Sequence, residues 1–433
     1  MKIKLILIVG LIVIFCSVIS YWLGTNQTGS FSSILESQVE HHSPPPVVIE
    51  PGSAVETASY IIFHDDEGFI YAKSGDTGEI VKSSDDASEV INWAINQLTN
   101  GGKIFIKEGV YDVKETIAWS GKTIYLIGEG SGNRGTLAGN AVTRLVPHAE
   151  IGSNPVIKIG TLGVDTWYGG ISDLTIDAYN GGSHVAQVTG AIEGIDTSWM
   201  TFKNVLINYF CRTTENQFGF YFHGVPGGTV THGNVLENCI TYACHRHIYL
   251  GDYADGYTII NCALMGDFYD NSYGLYVDSN RSDTHKFFNL KLLNINNAGS
   301  IAAYLKSGAK HLEFYGLRIE DCAQHITIDY DGGYCYSNKF FGGTIDLTKV
   351  TDNGVRTLWH GATRGVFRSE NSGTVTGTSP ITVSHGLVDV PTTVVITPRT
   401  ACSFAVTSRD ATNFEITHDG GSVTFDWYAE YEP

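Results

Sequence analysis

The 433-residue chain predicts an all-β solenoid, on three observations. A degenerate block of apolar triplet, bend residue and apolar triplet recurs through the middle of the chain. Its copies are TFK-Asn204-VLI, VLE-Asn238-CIT, TII-Asn261-CAL, KFF-Asn289-LKL, EFY-Gly316-LRI and KFF-Gly342-GTI. Successive bends lie 34, 23, 28, 27 and 26 residues apart, and blocks too short to bury a face alone must stack on one another to do so. The composition agrees: 49 Gly, 23 Tyr and 20 Phe with 17% charged residues favour short strands and turns over long helices.

The chain opens with Lys2 and Lys4 before an apolar run from Leu5 to Leu23. Nineteen residues approach the roughly 20 that span a bilayer, and the leading lysines place the N-terminus inside and the remainder outside. The run reads as an uncleaved single-pass anchor, or alternatively as a cleaved signal peptide. Residues 24–57 are polar, carry Pro44-Pro45-Pro46 and read as a stalk. Residues 58–82 read as a β-hairpin, with YIIF and GFIYAK on either side of an Asp65-Asp66-Glu67-Gly68 turn. One amphipathic helix follows, capped by Ser84 or Asp85, with Val90, Ile91, Ala94, Ile95 and Leu98 on one face before Asn100-Gly101-Gly102 ends it. Its place suits a lid over the open end of a solenoid.

The net charge of −18, with no Lys/Arg cluster, argues against a nucleic-acid partner. Eight cysteines in a chain this long do not form a disulfide scaffold. Cys239 and Cys262 follow directly on bends, in the column held elsewhere by Val205, Leu290 and Leu317, and read as packed thiols or as a rung-to-rung disulfide. No CxxC pair suggests structural zinc.

The helix, then GGKIFIKEGVYDV and TIYLIGEGSG, resembles the opening of the pectate-lyase-like (pectin lyase fold) superfamily. That resemblance covers about residues 83 to 348. It implies a right-handed parallel β-helix with three-strand coils over residues 83–370, and an asparagine ladder in left-handed conformation between the second and third strands. Asn204, Asn238, Asn261 and Asn289, then Gly316 and Gly342, suit that position, since Asn and Gly tolerate positive φ best. Asp173 is a candidate earlier member. From about Thr374, TSPITVSHG, TTVVITP, SFAVTS, NFEIT and SVTFDWYA predict five strands of a small antiparallel β-sandwich, placed at residues 371–433. Its His385-Gly386-Leu387, Pro391, Thr397-Pro398 and Trp427 pattern resembles small C-terminal modules of phage-tail-like surface proteins.

With the bend as phase marker, the next strand of each coil reads FYFHG, IYLGD, LYVDS, AYLKS and ITIDY. Alternation turns Phe220/Phe222, Ile248/Leu250, Leu275/Val277, Ala303/Leu305 and Ile326/Ile328 inward. Tyr221, Tyr249, Tyr276 and Tyr304 then form an external ladder, followed by Thr327. Such a ladder suits glycan binding, with aromatic faces on pyranose C–H faces and hydroxyls for hydrogen bonds; sheet packing or an oligomer interface are the alternatives. The resemblance implies a substrate groove along this same strand face.

The next outward column is His223, Gly251, Asp278, Lys306, Asp329. Asp278 and Asp329, two coils apart or roughly 9–10 Å, lie near the separation used by inverting glycosidases. They are candidate acid and base; Lys306 between them is a candidate base for a lyase acting on an acidic glycan. The bland reading is a self-neutralising surface ladder. Acidic loops add Asp252, Asp255, Asp283 and Asp331 as candidate Ca²⁺ ligands, and many pectate lyases use Ca²⁺ to bridge substrate carboxylates. His247 and His325 are placed in an outward column as groove-lining residues. Gly130, Gly132 and Gly135 spell a dinucleotide fingerprint without the helix it requires. No GxSxG elbow and no paired-Asp or Gly-His-Gly signature of polygalacturonases occurs. The sequence thus predicts a membrane-anchored or secreted β-helix that binds or degrades polysaccharide as lyase or hydrolase. The competing reading is a non-enzymatic spike or adhesin, homotrimeric, cell-surface or viral, that recognises a glycan receptor.

Overall fold

The computed structural model describes residues 58–132, 142–180, 183–184, 188–211, 217–224, 231–267, 269–278, 284–306, 308–329, 335–360, 370–387 and 389–431. The predicted anchor over residues 5–23 and stalk over 24–57 lie outside these residues, as do Asp283 and Asp331. Among the described residues no helix is long and apolar enough to cross a membrane.

The body is a right-handed parallel β-helix built from three long sheets. One coil runs Arg246–Leu250, Thr258–Ile260 and Ala263–Met265 before Tyr273–Val277 begins the next. Each strand pairs in parallel with its equivalent one coil on: Tyr249 with Tyr276, Ile259 with Phe287, Leu264 with Leu292. Among the described residues, the sheets hold nine, thirteen and eight strands respectively. A short fourth sheet (Thr166–Trp167, Thr197–Ser198, Thr231–His232, Ala254–Asp255) pairs residues that lie in sequence between the first and second strands of successive coils.

The bend ladder is present as the sequence predicts. Asn204, Asn238, Asn261 and Asn289 have φ of 52°, 54°, 53° and 52°, and Asp173, Gly316 and Gly342 share the left-handed conformation. Side-chain amides link some rungs: Asn204 donates to Asp173 at 2.7 Å and Asn289 to Asn261 at 3.1 Å. A second left-handed bend per coil, at Tyr209, Ala243, Gly266, Asn294 and Asp321, follows the third strand. Its mixed residue types left no pattern to read.

Inside, aliphatic and aromatic columns fill the coils, and the FF/FY blocks become a stack. Phe287, Phe314, Phe340 and Trp359 are buried with successive ring centroids 4.3, 4.6 and 4.1 Å apart. Cys239 and Cys262 are buried free thiols, donating to the carbonyls of Phe202 and Leu236. Packing therefore describes that column, and no disulfide crosses it.

The hairpin of Tyr60–His64 and Ile70–Ser74 is antiparallel as predicted, gains a third strand at Ile80–Ser84, and joins the thirteen-stranded sheet through Tyr60–Ile104 pairing. The helix spans Ala87–Gln97, and its cap is Asp86 rather than Ser84 or Asp85. The Asp86 carboxylate accepts from the Ser88 N–H at 2.9 Å, while Ser84 instead donates to Glu89. Val90, Ile91, Ala94 and Ile95 sit in the core. Among the described residues, the C-terminal segment holds six strands, not five, in two antiparallel three-stranded sheets. Its additional strand, Glu370–Gly377, pairs along its whole length with Val423–Glu430. These strands enclose their own apolar cluster around Phe414, Ile416, Phe425 and Trp427.

Candidate functional site

The outward face of the nine-stranded sheet carries one continuous column. Register places Lys158, Glu193, Tyr221, Tyr249, Tyr276, Tyr304, Thr327 and Thr351 side by side on successive coils. The inward partners Phe220, Phe222, Ile248, Leu250, Leu275, Val277, Ala303, Leu305, Ile326 and Ile328 are all fully buried, so alternation works as the sequence implies. Asp278, Lys306 and Asp329 follow their strands directly and continue the ladder, with their N–H groups donating to Leu250, Val277 and Leu305.

The tyrosine rings are turned toward one another. Tyr221 and Tyr249 stack at 4.4 Å with planes 16° apart. Tyr276 meets Tyr249 and Tyr304 edge-on at 4.9 and 5.2 Å, and only 7% of its surface is exposed. Arg246, one of the few arginines near this face, lays its guanidinium 4.8 Å from the Tyr249 ring and 4.6 Å from that of Tyr276. Ring faces that a sugar would cover are thus partly taken by neighbouring side chains. The hydroxyls do polar work instead: Tyr304 donates to Asp329 at 2.9 Å, and Tyr249 reaches Asp278 at 3.5 Å. Lys306 pairs with Asp278 at 3.2 Å. Burial, reinforced by the neighbouring carboxylates, keeps these phenols protonated: it pushes Tyr221 up to about 12 and raises Tyr249 and Tyr304.

Glu193 and Lys158 escaped the sequence reading, although GAIEGI precedes Tyr221 by the same 28 residues that separate Tyr221 from Tyr249. Glu193 accepts from His223 at 3.2 Å and pairs with Lys158 at 3.3 Å, while His223 stacks on Tyr221 at 4.4 Å. Burial alone would raise the Glu193 pKa; the His223 hydrogen bond and the Lys158 charge outweigh it and hold the carboxyl below its usual value.

Two predicted groove residues are elsewhere. His247 is fully buried: its ring bonds the Thr241 hydroxyl at 2.7 Å through Nδ1 and the Gly266 carbonyl at 2.9 Å through Nε2. It sits where the chain turns into the sheet, and there two consecutive residues, His247 and Ile248, are both buried; strict alternation fails at that corner. His325 is likewise buried, and its Nδ1 accepts from the Asp346 N–H at 3.0 Å. Neither reaches the outer face. Of the four candidate Ca²⁺ ligands, Asp252 and Asp255 are described; among the described residues no group of three or more His, Cys, Asp or Glu side chains converges to hold a metal.

Large aromatic faces are exposed on a different surface. Trp167, Tyr168 and Trp199 keep 48%, 54% and 51% of their surface in contact with solvent, all on or beside the short fourth sheet.

Fold and site together define a parallel β-helix protein with a polar, tyrosine-lined strand face. Among solved structures, the chain is similar to the Geobacillus virus E2 ORF18 protein, at 13% identity and a TM-score of 0.45 over 81% of this chain and 83% of that one. It is also similar to the tailspike gp49 of Acinetobacter baumannii bacteriophage Fri1, a capsular polysaccharide depolymerase (13% identity, TM-score 0.43, 79% and 82% covered). A third similar structure is the Acinetobacter phage vB_ApiP_P1 tailspike (10% identity, TM-score 0.40, 80% and 84% covered). No family model matches the chain, and no curated protein does.

Proposed function

We propose that the protein is an extracellular or virion-surface glycan hydrolase that binds polysaccharide along the nine-stranded face. The observation that supports this most is the pair of carboxylates in one outward column, Asp278 held by Lys306 at 3.2 Å and Asp329 by the Tyr304 hydroxyl at 2.9 Å. Two rungs separate them, roughly 9–10 Å, close to the span of about 6.5–9.5 Å that leaves room for a water in an inverting mechanism. One carboxyl gives its proton to the glycosidic oxygen as the C–O bond breaks; the other takes a proton from the water that attacks the anomeric carbon. Lys306, engaged with Asp278, acts as a charge partner rather than as the proton-abstracting base of a lyase. Among the described residues, Asp252 and Asp255 join no group of three or more His, Cys, Asp or Glu side chains that could hold a metal. In this reading the apolar run over 5–23 tethers the body outside the cell or virion.

The test is reducing-end release from a panel of bacterial capsular and uronic-acid polysaccharides by the full chain. Asp278→Asn and Asp329→Asn should each lower kcat by about 10²–10⁴, with polysaccharide affinity changed only a few-fold. Unsaturated product absorbing in the ultraviolet, lost in Lys306→Ala, would favour the lyase reading. No release from any polymer, or unimpaired Asn variants, would overturn hydrolysis.

A further inference from the structure

The exposed aromatics of the fourth sheet occupy an unusual backbone. Tyr168 and Trp199 both have φ of 60°, a conformation that bulky side chains rarely adopt and that, when held, clusters at functional positions. They share one column: the Tyr168 N–H donates to the Ser198 carbonyl and the Trp199 N–H to that of His232. The next members, Gly233 and Gly256, have φ of 68° and 62°. Glycine meets this conformation without strain, so the fold alone gives no reason for a tyrosine and a tryptophan here.

The indole of Trp199 lies directly over Gly233, where an added Cβ would come within 2.6 Å of the ring. The His232 ring meets its edge at 5.2 Å, and half of Trp199 still faces water. Trp167, on the neighbouring strand, borders a cavity of about 270 Å³ otherwise lined by Asn100, Gly121, Lys122, Thr123 and Asp165. That volume falls just below the roughly 300–1,000 Å³ of pockets that enclose drug-sized ligands. The Lys122 ammonium is tied to the Ile95 carbonyl at 3.0 Å, and Thr123 to the Trp167 carbonyl at 2.9 Å, so the rim is held in place.

We propose that Trp167, Tyr168 and Trp199, with the adjoining cavity, form a second glycan-binding site that takes pyranose units of a neutral polysaccharide. Flat aromatic faces beside hydrogen-bonding Asn100 and Asp165 match a sugar, which has an apolar C–H face and a hydroxyl rim. A purely apolar partner would leave those polar groups unpaired. The net charge of −18 and the Asp165 carboxylate disfavour a polyanion. The site lies on a different sheet from Asp278 and Asp329 and does not depend on their chemistry.

Affinity electrophoresis of the full chain in gels containing dextran, xylan, galactomannan or β-1,3-glucan tests this. At least one polymer should retard the protein; Trp167→Ala with Trp199→Ala should weaken that retardation at least tenfold, while Phe404→Ala, at an exposed aromatic of the C-terminal segment, leaves it unchanged. Trp199→Gly separates recognition from packing, because it removes the indole and relieves the backbone together. Its melting temperature should stay level or rise while retardation is lost. Retardation by none of the four polymers, unchanged retardation in the double variant, or a lower melting temperature with intact binding in Trp199→Gly would each overturn the proposal.

Discussion

His247 enters the interior because the column around it makes room and supplies partners. Thr241 replaces the isoleucine or leucine found at the equivalent positions Ile207, Leu264 and Leu292, and its hydroxyl bonds the imidazole. Burial holds the His247 pKa at about 4, below the usual 6.5. The unfolded chain therefore binds the extra proton first: this contribution to stability is complete above pH 6.5, declines as pH falls toward 4, and levels off below that. The loss over the window is about 3 kcal/mol, visible as the difference between wild type and His247→Gln in urea unfolding across pH 4–7; a difference that does not change with pH would refute it. From sequence, period-two alternation put this histidine outside. The signal available was the polar Thr241 in an otherwise aliphatic column, which marks a buried hydrogen-bond partner. Glu193 was hidden for the opposite reason: a carboxylate at a tyrosine's position in the repeat breaks the pattern by chemistry while keeping it by register.

At the scale of the element, the legible feature was the first bend of each coil, because only a few residue types accept positive φ. Gly342 has φ of 62° with no atom within 4 Å of a would-be Cβ, so conformation alone decides its replacements. Gly342→Ala should destabilise by about 1 kcal/mol and Gly342→Asn by less, compared by thermal melts; equal losses would deny the bend its conformational role. The second bend, at Tyr209, Ala243, Gly266, Asn294 and Asp321, was not legible. Both bends are held by the same kind of bond to the next coil, Asn238 N–H to the Ile260 carbonyl at 3.0 Å at the first and Tyr209 N–H to the Tyr242 carbonyl at 2.9 Å at the second; the second carries Tyr, Ala, Gly, Asn and Asp, and so leaves no recurring residue type to read. The strand Glu370–Gly377 escaped for a related reason: ENSGTVTG has turn composition, and its pairing with Val423–Glu430 imposes the extended form.

Over the whole molecule, burial divides into two apolar clusters, one running along the coils from Ile62 to Trp359 and one confined to Ile381–Ala429. Separate cores are expected to melt separately. Calorimetry should show two transitions; Phe314→Ala, which opens a gap in the Phe287–Phe340 stack, should lower one by the equivalent of about 3–5 kcal/mol, and Phe425→Ala should lower the other. A single transition shifted by both variants would contradict this. The coil architecture could be read from repeats because each coil meets only its neighbours. The outer surfaces could not: sequence places the tyrosines outward, but ring stacking, which decides whether their faces are free, depends on rotamers and neighbours across coils.

Gly233 ties two distant points of the chain together. The Trp199 indole rests on it from one coil away, so a methyl group at residue 233 would come within 2.6 Å of an aromatic ring 34 positions earlier in the sequence and force a shift there. The dependence runs one way: the tryptophan needs the glycine beneath it, whereas the φ of 68° at Gly233 favours glycine with or without the ring, so a single glycine-to-alanine change would disturb that surface feature while leaving every core and carboxylate residue as it was.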